Sequence, residues 1–138
     1  MAAKDFLRSL RKMDAEIRAL QLQIEKLRGD AEGVKAMAIS DMPKGGNGYN
    51  AADLIAEVVD LQAVCAMKMR ELVKHRSEAV NIIMKIGRTD QRAVLMLYYC
   101  SCQSWEQVAD ALNYSVRQVL RIHGEALVEF EAHDGRCH

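Results

Sequence analysis

The sequence predicts an all-α protein: a long helical hairpin or coiled coil followed by a C-terminal three-helix unit that contains a helix-turn-helix. Three observations lead there. Strong helix formers (Ala, Leu, Met, Glu, Gln, Lys, Arg) dominate, and aromatic residues make up only 5%. A single proline occurs in 138 residues. Apolar positions also recur at helical spacing, most regularly near the N-terminus.

Residues 4–28 carry that first stripe. Phe6, Leu10, Met13, Ile17, Leu20, Ile24 and Leu27 follow a 4-3-4-3-4-3 spacing without a miss. Leu10, Ile17 and Ile24 take the a positions of a heptad, and the other four take d. β-branched residues at a with Leu at d suit two-stranded pairing. The other faces are charged, so the seven residues must cover a partner. Two partners are open: the next long helix, folded back as an antiparallel hairpin, or a second copy, which would make these residues the interface of a homodimer.

Residues 29–49 break the pattern and read as a flexible loop. They hold five of the eight glycines (Gly29, Gly33, Gly45, Gly46 and Gly48) together with Pro43. GGNG follows no strand and precedes no GK[ST], so a connector is expected there rather than a phosphate cradle. A second long helix is expected over 50–86, capped by Asn50 and ended by Gly87 in the C′ position. Its stripe runs through Leu54, Val58, Leu61, Cys65, Met69, Leu72, Ala79, Ile83 and Ile86. This divides the chain into a hairpin at 1–87, a helix-turn-helix domain at 88–132 and a tail at 133–138.

The last fifty residues are marked by caps. Thr89 is expected to cap a helix reaching about Tyr99. Ser104-Trp105-Glu106-Gln107 and Ser115-Val116-Arg117-Gln118 each spell a capping box, in which the Ser hydroxyl and the Gln side chain satisfy each other's terminal amides. Two such starts eleven residues apart leave one short helix and a turn at Asn113-Tyr114, which is helix-turn-helix spacing. The motif needs a small residue where its helices cross, filled by Ala109, and a residue tolerant of positive φ in the turn, filled by Asn113. Trp105, Val108, Leu112, Tyr114, Val119 and Ile122 are expected to close the core. Ser115, Arg117, Gln118, Arg121 and His123 are expected on the outward face of the second helix, where Arg and Gln suit guanine and adenine edges. Gln103 and Ser104, with Ser115, are candidates for phosphate contact.

At these residues the chain resembles region four of bacterial sigma factors, through WEQVADALNYSVRQVLRIHGEAL. The longer pattern combines a basic heptad helix, a MPKGGNG loop, a second long helix and then LMLYY…SWEQVADALNYS. It is similar to phage-encoded sigma-like regulators, the ArpU-type and RinA-type group of Gram-positive bacteria and their prophages, over nearly the whole chain. The resemblance implies activation of phage late genes, double-stranded DNA as partner with RNA polymerase as a further one, and the cytoplasm of a bacterial host. In one departure, Val116 stands just after the cap, where Arg or Lys is usual, which thins direct base reading.

Net charge is zero, with 19 basic and 19 acidic residues, so nucleic-acid binding must rest on local charge. Residues 88–131 alone hold four basic and six acidic residues, which predicts weak non-specific binding. No apolar run reaches the eighteen or so residues of a transmembrane helix. No nucleophile elbow, Walker loop or HExxH is present, and no catalytic residue, cofactor or metal is assigned. Cys100 and Cys102, with Cys137 and His138, spell C-x-C, a poor match to structural zinc spacing. The expected function is a sequence-specific transcription regulator. A small-terminase-like DNA-packaging factor and a coiled-coil module that binds polymerase without DNA contact are the alternatives.

Overall fold

A computed structural model describes residues 2–39 and 50–135, and every regular element among them is helical. α1 spans Ala3–Ile39, α2 Ala51–Ile83, α3 Thr89–Leu95, α4 Trp105–Leu112 and α5 Val116–His133. A π-helical turn, Met96–Cys100, continues α3. No described helix is long and apolar enough to cross a membrane.

α1 is longer than its glycines suggest. It continues through Gly29 and Gly33 to Ile39, where the sequence reading placed a loop from residue 29. Helical glycine costs about 1 kcal/mol relative to alanine. Burial of Ile24, Leu27 and Ala31 on the same stretch offsets that cost. Pro43, Gly45, Gly46 and Gly48, and with them the connector reading of GGNG, lie outside the described residues.

α2 starts as expected, with Asn50 Oδ1 accepting from the Asp53 amide at 2.9 Å. It ends three residues early, at Ile83. The Lys85 and Ile86 amides donate to the carbonyls of Ile82 and Ile83, at 3.0 and 2.9 Å, which tightens the last turn. Gly87 does not take the left-handed conformation expected of it. α3 also departs from expectation: Arg88 is its cap residue, no side chain caps it, and Thr89 is already helical.

The chain divides into two compact units, neither coinciding with the boundary expected at residue 87. One, Ala15–Arg70, is an antiparallel helix pair. Direction follows from which residues meet. Glu16 pairs with Lys68 at 3.3 Å, Ile24 and Glu25 share a cleft with Cys65 and Met69, and Ala31 and Lys35 share one with Ile55 and Val58. Ile17, Ile24, Leu27 and Ala31 are buried on one side and Leu54, Val58 and Cys65 on the other. Leu61 is only half-buried and Met69 is exposed.

The other unit joins the start of α1, up to Asp14, to everything described from Glu71 onward. Ala3, Leu7 and Leu10 are buried in it, as are Leu72, Ala79, Ile83 and Ile86. Phe6 stacks on Phe130 of α5 at 6.5 Å between ring centroids, and meets His75 edge-on at 6.0 Å.

The residues named as an oligomer interface divide between the two units, Phe6, Leu10 and Met13 in one and Ile17, Leu20, Ile24 and Leu27 in the other. Leu10, Ile17, Ile24 and Leu27 are buried within one chain, and Phe6, Met13 and Leu20 are half-buried. The a series extends to Ala3 and Ala31, both buried, and Leu7 joins it. The stripe therefore packs largely within the chain, while Leu22 and Met37 stand exposed on other faces of α1.

Candidate nucleic-acid interface

α4 and α5 are set by two local devices. The Ser104 hydroxyl accepts from the Gln107 amide at 3.1 Å, and Gln107 Oε1 accepts from the Ser104 amide at 2.8 Å. Ser115 and Gln118 repeat the exchange at 3.1 and 2.9 Å. Between them Asn113 sits at φ 60°, ψ 41°. The Tyr114 and Asn113 amides close back on the carbonyls of Ala109 and Asp110, the paired bonds of a Schellman turn. The core is closed by Val94, Val108, Ala109, Val119 and Ile122, with Trp105, Leu112 and Val116 packed against it. Tyr114, expected in that core, is instead at the surface.

Of the residues expected to meet DNA, the structure leaves some free and occupies others. Arg117 is exposed and makes no ion pair among the described residues. Arg121 is exposed beside Glu125 at 3.5 Å, a pair worth little at a surface. Ser104 and Ser115 are exposed, although their hydroxyls serve the caps. Gln118 is committed: its Oε1 accepts from both the Ser115 amide and the Ser115 hydroxyl, and bidentate adenine contact needs that oxygen. Gln103 is half-buried, and its side-chain oxygen is enclosed. It sits in the loop before α4.

His123 is the clearest correction. It points inward, half-buried, with its Nε2 2.7 Å from the Tyr99 hydroxyl and its ring 4.7 Å from that of Trp105. Burial, then the nearby charges of Lys4 and Arg8, lower its pKa to about 4. The ring is therefore neutral near pH 7, and it shares a hydrogen bond with the Tyr99 hydroxyl whose direction follows the ring's tautomer. Burial also raises the Tyr99 pKa to about 12.

The sequence reading missed the contribution of α1. Arg11 Nη1 donates to the carbonyls of Tyr98 and Gln103 at 2.6 and 3.0 Å. Its guanidinium lies 3.9 Å from the centre of the Tyr98 ring, on which Trp105 stacks at 3.7 Å. This anchors α1 to the loop that precedes α4. A cleft of about 420 Å³ opens alongside, with Lys4, Arg8, Arg11 and Lys12 on one wall and Tyr98, Tyr99, Trp105, Leu120 and His123 on the other. The signal was present as four cations at i, i+4, i+7 and i+8, which share one helix face. Their position beside the helix-turn-helix was not.

Cys100 and Cys102 flank the end of the π-helical turn, and burial raises the pKa of the Cys100 thiol. Among the described residues no group of three or more His, Cys, Asp or Glu is placed to hold a metal. Cys137 and His138 lie outside them.

Fold and site together define an all-α protein built around a helix-turn-helix. Residues 34–131 match the family described as "Protein of unknown function (DUF1492)", and the chain belongs to that family. Comparison with curated proteins and with solved structures gives no match.

Proposed function

We propose that the protein is a sequence-specific, double-stranded-DNA-binding transcription regulator of sigma-like type and phage or prophage origin. It would work in the cytoplasm of a bacterial host and would touch RNA polymerase as well as promoter DNA. One observation carries the reading: two capping boxes around a left-handed Asn113 present the first turns of α5, with Arg117 unpaired and Arg121 beside it on the outward side. That is how a recognition helix enters the major groove. With Gln118 and His123 removed from the reading set, Arg117 and Arg121 remain as base-contacting candidates. The regulatory role and the phage origin rest on the resemblance to sigma region four and to the ArpU-type and RinA-type regulators. No catalytic role is proposed for any residue.

The test is selection of bound sequences from a random duplex library, followed by affinity measurement on the selected site. Arg117→Ala and Arg121→Ala are each expected to weaken that site by about 1–3 kcal/mol and to relax one position of it. Enrichment of no sequence, with both variants binding like the parent, would leave the polymerase-binding alternative in its place.

A further inference from the structure

We propose that the start of α1 is a second DNA contact, a clamp in which Lys4, Arg8 and Lys12 hold backbone phosphates of the duplex that α5 reads. The inference rests on the DNA-binding reading and names residues that the reading did not include. Its first ground is charge. The cleft beside α4 is walled by four cations and no carboxylate. Arg11 is spent on the Tyr98 and Gln103 carbonyls, while Lys4, Arg8 and Lys12 are exposed and make no ion pair among the described residues. Three unpaired cations on one face repel one another, so an anion placed among them is stabilised.

The second ground is length. Lys4, Arg8 and Lys12 are successive i, i+4 positions, a row of about 12 Å along the helix. A strand of duplex DNA carries one phosphate per about 3.4 Å of axis, so the row is long enough for two or three. The third ground is continuity. Leu120, 45% exposed, lines the cleft and lies one residue from Arg121 and three from Arg117 on α5. A duplex seated on α5 would therefore have its backbone within reach of the α1 row. The clamp also supplies what residues 88–131 lack, since acids outnumber bases there. Arg11 holds the row in register with α4 through bonds to the π-helical turn at Tyr98 and to the following loop at Gln103.

The test uses the full chain and a random-sequence duplex, with affinity followed by fluorescence anisotropy against salt. The triple variant Lys4→Gln, Arg8→Gln, Lys12→Gln alters only exposed side chains and is first checked for an unchanged thermal midpoint. It should bind all sequences more weakly, and its slope of log K on log salt should flatten by about 0.9 for each phosphate no longer neutralised. The charge-preserving variant Lys4→Arg, Arg8→Lys, Lys12→Arg should keep the parent slope. A control triple, Lys26→Gln, Arg28→Gln, Lys35→Gln, removes equal charge elsewhere and should change the slope little. If the parent binds duplex and the first triple keeps its slope, or if the control flattens it equally, the clamp is wrong and the DNA reading stands. If the parent binds no duplex even at low salt, the DNA reading fails and the clamp fails with it.

Discussion

The Tyr99 hydroxyl and His123 Nε2 lie 2.7 Å apart, in a half-buried setting that favours the neutral imidazole. The folded His123 pKa is lowered to about 4 from an ordinary 6.5. The unfolded chain therefore binds a proton between those values that the folded chain refuses. Burial of the neutral ring, and after it the charges of Lys4 and Arg8, therefore leave stability undiminished above about pH 6.5 and reduce it as pH falls toward 4. Urea midpoints for the parent should drop across that window, and His123→Gln, which cannot titrate, should drop less. Equal drops in both proteins would show that other groups govern the acid limb.

Arg11 joins α1 to the loop before α4 by two charge-assisted hydrogen bonds and a contact with the Tyr98 ring. Arg11→Ala should destabilise the fold by about 2–4 kcal/mol, less than the full sum of two bonds to a charged group and a cation–π contact because Arg11 is only half-buried. Arg11→Lys should not restore it, because a point-charge ammonium cannot bridge both carbonyls and stack as well. Denaturant unfolding of the three proteins tests this, and full rescue by Lys would refute the bridging geometry.

The turn at Asn113 has φ 60°. Asn113→Val should cost about 1–2 kcal/mol, because a branched side chain clashes in the left-handed region, while Asn113→Gly should be close to neutral. A Val variant as stable as the parent would mean that the turn can relax.

Gln118 closes the second capping box. Gln118→Ala should lower stability by about 1 kcal/mol and leave the selected DNA sequence unchanged. A changed sequence preference would return Gln118 to the base-reading set.

Gly29 and Gly33 lie inside α1, and a Cβ on either would meet nothing within 4 Å. Each change to Ala should therefore raise stability by about 0.5–1 kcal/mol. Thermal midpoints of the single and double variants measure it, and a loss in either would point to a use for the missing side chain.

Legibility from sequence followed distance along the chain. The caps at Asn50, Ser104 and Ser115 are bonds between residues three apart, and each was readable from residue type and spacing. The glycines misplaced the end of α1, because Gly29 lowers helix propensity by an amount that burial of Leu27 and Ala31 outweighs. The π-helical turn over Met96–Cys100 left no composition signal. It is closed by the Ser101 amide reaching the Met96 carbonyl at 2.9 Å, and it sets the Tyr98 and Tyr99 rings that Arg11 and His123 meet.

The sequence by itself determined that the chain is helical, where its last two helices start, and that Asn113 must turn between them. Periodicity and capping are satisfied within four residues, so the chain states them directly. Tertiary structure decided that the heptad stripe of α1 is covered within one chain, that His123 faces inward, and that a row of cations stands beside α4. Those outcomes depend on contacts such as Arg11 to Tyr98 and to Gln103, 87 and 92 residues apart. Which of several compatible faces meet is settled only when the competing burials are compared in the folded molecule.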